Sequence, residues 1–253
     1  MVRIYSRMIY SISKKIERLT SISQGKGYGS TSVKKEVKTC QSFAVAPLKL
    51  AIDIGGNIGA YSAELRHGNS ELEIHIFEPS KINVEKLRIR FSDDRSVKIV
   101  PVGIAEVSGH TTLFSDTPGS GLASLTKRRL DHFKIDFETT EEVETIRFED
   151  YWINELGSRQ IDLVKIDIEG HELSALNGFG KAINFSRVIQ FEFGGCNIDT
   201  RTFFQDFWYF FDNNGFDIYR VTPFGAELIS KYREQDEYFS TTNYIAVKRG
   251  LDS

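Results

Sequence analysis

LKLAIDIGGNIG, the sequence of residues 48–59, carries the strongest indication of fold in this chain. Its first half is a short apolar run, which predicts a buried strand, and the amphipathic stretch that follows it predicts a helix. Gly55, Gly56 and Gly59 lie between the two, where glycines let the backbone turn tightly and let a ligand approach main-chain N–H groups. A strand, a glycine turn and a helix in this order are typical of ligand-binding α/β sheets.

Short apolar runs alternate with amphipathic stretches through the rest of the chain, the pattern of βα units around a mostly parallel sheet. We expect a doubly wound, Rossmann-like α/β domain with a mostly parallel, seven-stranded sheet. The last two strands lie close in sequence with no helix predicted between them, so we expect an antiparallel C-terminal hairpin. The predicted strands are 48–54, 73–77, 97–102, 161–166, 188–193, 216–221 and 242–248, with an extra strand at 110–114 and an extended segment at 143–148. The predicted helices are 58–66, 81–91, 149–156, 172–179 and 203–213.

Composition and charge exclude several classes of protein. The 253 residues carry a formal net charge of −3, whereas nucleic-acid-binding proteins are usually strongly basic, so no nucleic-acid partner is expected. Cys40 and Cys196 lie far apart and form no CxxC pair. This excludes a disulfide framework or a zinc-thiolate site and favours a reducing, cytoplasmic location. No stretch approaches the roughly 18 apolar residues of a membrane span.

Residues 1–40 form a basic N-terminal arm. They hold nine basic and two acidic side chains, a charge of +7 that leaves −10 for the predicted domain, residues 41–253. Apolar residues at helical spacing predict an amphipathic helix over 4–19, and the Ser-, Gly- and Lys-rich stretch 21–38 predicts a linker. Three interpretations stay open. In the first, residues 1–20 contact an anionic membrane surface. In the second, the arm is a segment similar to an organellar transit peptide. In the third, its helix packs on the acidic domain or across a homodimer.

Acidic residues near the ends of the first two predicted strands indicate a nucleoside-binding site. Glu78 lies where a carboxylate accepts both hydroxyls of a ribose. The turn reads D-x-G-x-N-x-G from Asp53, not the G-x-G-x-x-G of dinucleotide sites, and Asn57 stands where a bare backbone suits a diphosphate. Because Asp53 is an acceptor for a cationic amine, S-adenosylmethionine (SAM) fits better than NAD. The alternative is an NAD-dependent or nucleotide-sugar oxidoreductase that uses the same turn.

A second cluster follows the fourth predicted strand, in the sequence VKIDIEGHE at residues 164–172. Asp167, Glu169 and His171 come at the carboxyl end of this strand, so they should face the same crevice as the glycine turn. Glu192, flanked by aromatic residues that favour a raised carboxyl pKa, is the fourth candidate for the general base of a proton transfer. Neighbouring carboxylates at Asp167 and Glu169 also suit Mg²⁺, so metal dependence stays open, although no metal is predicted.

The D-x-G-x-N-x-G turn, F-E-P at residues 77–79 and K-I-D-I-E-G-H-E at residues 165–172 together resemble the FkbM family of SAM-dependent methyltransferases. The resemblance extends over residues 48–247. It implies a class I methyltransferase fold and O-methylation of a hydroxyl on a small-molecule or glycan acceptor, such as a sugar or a polyketide. It also implies cofactor contacts by Asp53, Gly55, Gly56, Asn57 and Gly59 at the methionine end, Glu78 and Pro79 at the ribose, Val102 and Gly103 near the adenine, and Asp167.

Overall fold

The computed structural model describes residues 2–29, 32–44 and 47–250, the first five of them by their backbone alone. The strands in this part of the chain are β1 (Leu50–Ile54), β2 (Glu73–Phe77), β3 (Val97–Val100), β4 (Gly103–Ile104), β5 (Gly109–Ser115), β6 (Thr139–Ile146), β7 (Ile161–Ile166), β8 (Ser186–Phe193), β9 (Phe216–Thr222), β10 (Gly225–Leu228) and β11 (Thr242–Lys248). The α-helices are α1 (Val2–Ser23), α2 (Val33–Gln41), α3 (Ala60–His67), α4 (Lys81–Arg90), α5 (Phe148–Asn154), α6 (Glu172–Gly178), α7 (Cys196–Thr200) and α8 (Phe204–Asn213).

The central sheet has eight strands in the order β3-β2-β1-β7-β8-β11-β9-β10. The first five run parallel, and β11, β9 and β10 each pair antiparallel with the preceding strand in that order. The doubly wound, mostly parallel sheet is confirmed, as is the antiparallel pairing of the predicted C-terminal strands. The predicted count of seven strands is wrong by one, because the edge strand β10 is mostly exposed and has no apolar run to reveal it.

The chain changes its direction of travel across the sheet at β1. This strand pairs with β2 on one side and with β7 on the other, so β2 and β3 lie on one flank and β7 and β8 on the other. At such a switch point the loops that follow neighbouring strands diverge and open a crevice at the carboxyl ends of the strands. The segments after β1, β2 and β7 therefore surround one crevice.

A smaller sheet of order β4-β6-β5 contributes to the same region. β5 and β6 pair antiparallel, which accounts for the extra strand and the extended segment predicted between residues 110 and 148. An isolated bridge between Phe114 and Ser124 folds the β5–β6 loop back on its own strand. The loop is thereby held near the carboxyl ends of the central strands.

Apolar side chains cover both faces of the central sheet. On one face α8 buries Phe204, Phe207 and Phe211, and the ring of Phe207 stacks on Phe191 of β8 with centroids 5.2 Å apart. The aromatic spacing of three and four residues in this helix is therefore a packing pattern. On the other face α2 and α3 cover the sheet, with Tyr61 among the buried residues.

The linker predicted over residues 21–38 is wrong, because most of this stretch is folded against the domain. Val37 and Cys40 of α2 are buried against the sheet. Ahead of α2, the main-chain N–H of Gly29 donates to the carbonyl oxygen of Thr241 at 2.8 Å. Charged and polar residues separate the few apolar positions of α2, so tertiary packing determines this helix more than its own periodicity does. The folded unit that holds the crevice begins before the predicted boundary.

α1 confirms the predicted N-terminal helix and extends it at both ends. Among the described residues, no helix is both long and apolar enough to cross a membrane. Cys40 and Cys196 are buried free thiols.

Candidate active site

A cavity of about 410 Å³ opens at the carboxyl ends of β1, β2 and β7, where the switch point places a crevice. The turn after β1, the end of β2, the segment after β7 and the β5–β6 loop form its walls. The predicted site residues that line it are Gly55, Gly56, Asn57, Glu78, Pro79, Gly103, Asp167, Glu169, His171 and Glu192. The cavity therefore brings together all four candidate bases and most of the residues implied to contact a cofactor.

Three predicted cofactor-binding residues lie away from the cavity surface. Val102 packs in the apolar core. Gly59 precedes α3 with a φ of 78°, and a Cβ there would press on Leu87 and Phe91, so this glycine serves the packing of α3 on α4. Asp53 is only 1% exposed and lies beneath the glycine turn. A role for Asp53 must therefore act from below the cavity.

Gly55 and Gly56 let neighbouring parts of the chain approach the turn more closely than any larger residue would permit. Gly55 has a φ of 80°, and a Cβ at this position would overlap the carbonyl oxygen of Asp167. A Cβ on Gly56 would overlap the side chain of Ile76. Asn57 follows with a φ of 48°, in the left-handed region that few non-glycine residues adopt. Strained backbone of this kind concentrates at functional sites, so the turn is a candidate ligand contact.

The carboxylate of Asp53 is buried with one oxygen unsatisfied. The Ser62 hydroxyl donates to Asp53 Oδ2 at 2.6 Å. Asp53 Oδ1 has no hydrogen-bond partner among the described residues, and the nearest cation, Lys165 Nζ, is 3.8 Å away. Burial raises the pKa of Asp53, and the positive charge of Lys165 opposes that shift. A buried acceptor without a partner indicates a missing donor.

Glu78 is fixed by main-chain donors at the end of β2. The N–H of Asn57 donates to Oε2 at 2.8 Å, and the N–H of Ser80 donates to Oε1 at 2.9 Å. Burial raises the pKa of Glu78 to about 7, although both hydrogen bonds favour the charged form. Each oxygen keeps a second lone pair for a ligand hydroxyl.

Lys165 places a buried cation between two carboxylates. Its ammonium donates to Asp167 Oδ2 at 3.2 Å and also faces Asp53. Burial alone would lower the pKa of Lys165, but the charges of Asp167 and Asp53 raise it above its ordinary value. The side chain is therefore charged, and it balances part of the acidity beneath the cavity.

Glu169 lines the cavity in a strained backbone conformation. Its φ of 53° lies in the left-handed region, and Glu172 fixes this turn by accepting the N–H groups of Ile168 at 2.9 Å and of Gly170 at 3.0 Å. The carboxylate of Glu169 pairs with Arg128 Nη1 at 2.5 Å. Burial raises the pKa of Glu169 to about 7 despite that guanidinium. Glu172 is fully buried and acts as a positioning residue of this turn.

The β5–β6 loop closes over the segment that follows β7. The Ser124 hydroxyl donates to the carbonyl oxygen of Glu169 at 2.8 Å, and Thr126 Oγ1 lies 2.9 Å from His171 Nε2. Burial lowers the pKa of His171, so its imidazole is neutral near pH 7. The loop thus holds both the main chain and the imidazole of the cluster.

Three carboxylate or thiol groups approach the geometry of a metal site. Glu169, Glu192 and Cys196 each place one ligand atom within 4.8 Å of the others, whereas Asp167 is outside this group. Glu169 already pairs with Arg128, and burial raises the pKa of the Cys196 thiol, which keeps it protonated. The thiolate, not the thiol, binds metals, and Mg²⁺ prefers oxygen ligands. This group of residues therefore does not fit Mg²⁺.

Glu36, Lys165 and Arg128 line the cavity but were not among the residues predicted from the sequence. Glu36 comes from α2, where its carboxylate accepts a hydrogen bond from Asn243 at 2.8 Å, and burial raises its pKa. Lys165 could have been found, because its alternation with Asp167 along the strand places both side chains on one face. Nothing local distinguishes Glu36 or Arg128 from other charged surface residues.

Comparison with known proteins identifies the family. The profile described as "Methyltransferase FkbM domain" matches residues 53–218, well over half of the chain. The chain belongs to the FkbM methyltransferase family. This FkbM methyltransferase is 24% identical over 187 residues to the 2-O-methyltransferase NoeI of Sinorhizobium fredii, covering 70% of this chain and 76% of NoeI. It is 28% identical over 174 residues to methyltransferase sdnD of Sordaria araneosa, covering 57% of this chain and 66% of sdnD.

Solved structures similar to this FkbM methyltransferase include two proteins of low sequence identity. One is SMU.1697c of Streptococcus mutans in complex with SAH, with a TM-score of 0.47, 10% identity and coverage of 86% of this chain and 98% of that chain. The other is the fibrillarin pre-rRNA processing protein of Methanococcus jannaschii, with a TM-score of 0.49, 9% identity and coverage of 87% and 77%.

Family membership makes the protein a SAM-dependent methyltransferase, with SAM as its cofactor. The doubly wound, mostly parallel sheet agrees with the class I fold that the sequence resemblance implied. The alternative of an NAD-dependent or nucleotide-sugar oxidoreductase is removed by the same finding.

Glu192→Gln is expected to stabilise the ligand-free FkbM methyltransferase at about pH 8, by a margin that shrinks towards pH 5. Burial raises the pKa of Glu192 well above its ordinary value, and the charges of Asp167 and Glu169 add to the shift. The folded chain then binds more protons than the unfolded chain, so stability is present at low pH and is lost as the pH rises through the folded pKa. Glutamine resembles the protonated acid at every pH.

Thermal melts of the wild type and the Glu192→Gln variant across this pH range test the expectation. Each kcal/mol gained corresponds to roughly 2–4 °C in melting temperature for a domain of this size. A variant that melts below the wild type at about pH 8 would show that the charged form of Glu192 stabilises the fold.

Proposed function

We propose that this FkbM methyltransferase transfers a methyl group from SAM to a hydroxyl oxygen of an uncharged sugar or glycan. The observation that carries the proposal is the cavity in which Asp167, Glu169, His171 and Glu192 lie beside the glycine turn. An alcohol is a poor nucleophile, so its proton must be removed as the O–C bond forms. The cavity offers bases for that proton next to a turn suited to the cofactor.

The residues at the turn fit SAM. The unsatisfied Oδ1 of Asp53 is an acceptor for the ammonium of the methionine moiety, or for a water bound to it. Gly55 and Gly56 line the cavity, and their lack of side chains lets the turn pack tightly on Asp167 and Ile76 at the place where the ligand would lie. The remaining lone pairs of Glu78 accept the ribose hydroxyls in this proposal, and Gly103 lines the adjoining wall for the adenine.

Within the cluster we assign Glu169 as the base that takes the hydroxyl proton. When bound, SAM supplies a methyl group on a positively charged sulfur. The carboxylate of Glu169 lines the cavity, and Arg128 and the Glu172-braced turn hold it in place. Burial raises the pKa of Glu169 to about 7, and a general base works best when its pKa is near the operating pH. His171 is braced by Thr126 and helps to shape the wall beside it.

The charge of the cavity supports an uncharged acceptor. Among the described residues, five carboxyl groups line it against two cations, and both cations are already paired: Lys165 with Asp167, and Arg128 with Glu169. A phosphate or carboxylate on the acceptor would find neither of these cations free, and its contacts with ionised carboxylates would cost several kcal/mol. Hydroxyl groups find hydrogen-bond acceptors there instead. The similarity to NoeI, which is named a 2-O-methyltransferase, supports oxygen as the atom that receives the methyl group.

Transfer of a radiolabelled methyl group from SAM to matched pairs of acceptors tests the proposal. Each pair sets a neutral sugar or oligosaccharide against its uronic acid or phosphorylated counterpart. We expect the neutral member to have a kcat/KM at least about tenfold higher, because one unfavourable charge contact of about 1.4 kcal/mol already accounts for that factor. Label found only on the anionic members, or on nitrogen, would contradict the proposal. If no acceptor is methylated, calorimetric titration with SAM shows whether the enzyme fails to bind the cofactor.

A further inference from the structure

The N-terminal helix α1 carries a row of large apolar side chains that the other described residues leave uncovered. Met8, Ile9, Ile12, Ile16 and Leu19 are between 49% and 69% exposed. Most of them recur at intervals of three and four residues, so they lie on one face of the helix. Packing of this helix on its own domain, one of the interpretations that the sequence left open, is thus not found over these residues.

The opposite face of α1 is basic. Arg7, Lys14 and Arg18 lie away from the apolar row, and Lys15 lies at its edge. Glu17 is the one acidic side chain between residues 7 and 20. An apolar face and a basic polar face along one helix are the pattern of helices that lie in the interface of an anionic bilayer.

The segment that follows the C-terminal end of α1 is fixed to the domain beside the active-site cavity. Gly25 packs closely on Val221 of β9, and Gly29 donates its N–H to the carbonyl oxygen of Thr241 at 2.8 Å. Thr241 also lines the cavity. A surface that receives α1 is therefore brought near the cavity.

Two surfaces suit such a helix: a second copy of the chain and an anionic lipid bilayer. The basic charge of α1 distinguishes between them. A second copy of the chain that paired through its own α1 would set one basic helix against another, and like charges oppose that pairing. An anionic lipid surface attracts the same charges and accepts the apolar row between its headgroups. We propose that α1 lies along an anionic lipid bilayer, with Met8, Ile12, Ile16 and Leu19 inserted and the basic side chains at the headgroups.

Flotation of the full chain with vesicles tests this proposal. Vesicles of phosphatidylcholine alone are compared with vesicles that also contain phosphatidylglycerol. We expect the wild type to float with the anionic vesicles and to stay largely free of the neutral ones. Ile12→Ser/Ile16→Ser keeps the charge of α1 and removes two inserted side chains, so its binding should fall by at least about tenfold. Lys14→Gln/Arg18→Gln should lose affinity for the anionic vesicles alone, also by about tenfold.

A matched control changes the polar side of the same helix. Ser11→Ala/Ser13→Ala should float as the wild type does, and all variants should keep the wild-type affinity for SAM because α1 does not line the cavity. Equal flotation of the wild type and Ile12→Ser/Ile16→Ser, or no flotation of the wild type, overturns the proposal. Analytical ultracentrifugation tests whether a second copy of the chain covers the apolar row instead. A wild-type dimer that Ile12→Ser/Ile16→Ser converts to a monomer would assign the row to that second copy and would also overturn the proposal.

Discussion

The Asp53→Asn variant is expected to bind SAM about a hundredfold more weakly than the wild type, because truncating one partner of a buried charge interaction costs about 2–5 kcal/mol. The Asp53 carboxylate is almost fully buried, and its Oδ1 atom has no donor among the described residues. In the proposed complex the ammonium of SAM, directly or through a water, supplies that donor. Asparagine keeps the shape and an oxygen for the Ser62 hydroxyl but removes the charge.

Isothermal titration with SAM and with its demethylated product measures this loss. Because burial raises the pKa of Asp53, its charge does not favour the ligand-free fold, and we expect the variant to melt no lower than the wild type. Asp150→Asn, an exposed carboxylate on α5, is the matched control and should bind as the wild type does. An affinity of Asp53→Asn within a few-fold of wild type would show that Asp53 acts on Lys165 alone and not on the cofactor.

Glu169→Gln is expected to lower kcat by roughly 10²–10⁴-fold while SAM affinity changes little, since this is the usual contribution of a positioned general base. Gln keeps a contact to Arg128 but cannot take the hydroxyl proton. The wild-type rate should rise with pH and level off above about pH 7, because burial raises the pKa of Glu169 to about 7 and only the ionised form acts as a base. The variant should lose this rise.

Asp199→Asn provides the matched control for Glu169. Both carboxylates face the guanidinium of Arg128, Asp199 Oδ2 lying 3.7 Å from its Nε, but only Glu169 lines the cavity. A loss confined to Glu169→Gln therefore reflects the proton transfer and not the position of Arg128. If Glu169→Gln retained more than about a tenth of the wild-type kcat, Glu169 would not be the base, and His171→Gln would be the next variant to measure.

The parallel core of the fold could be predicted because its buried strands are apolar runs in the sequence. β2, β7 and β11 begin and end where the apolar runs do, since each run is bounded by turn residues and buried on at least one face. β10 could not be found in this way, because it is an exposed edge strand stabilised by its pairing with β9. α2 was missed for a related reason: its two buried residues gain their stability from the sheet and from α3.

The candidate site could be predicted as far as it lies in the strand-end motifs. Asp167, Glu169 and His171 share the cavity with the glycine turn because carboxyl ends of neighbouring parallel strands meet at one edge of the sheet. Glu36 and Arg128 come from segments whose position depends on long-range packing, so no local pattern marks them. The burial of Asp53 also depends on packing, because Asp53 lies in β1, a central strand whose residues are all buried.

Part of the cavity wall is formed by residues outside the range that matches the family profile. Val33 and Glu36 come from α2 and Thr241 precedes β11, whereas the family profile spans residues 53–218. These positions shape the cavity wall without belonging to the strand-end motifs. Substitutions at Val33, Glu36 and Thr241 would therefore change the cavity wall while leaving the strand-end motifs intact, which makes them a direct route to engineering acceptor preference.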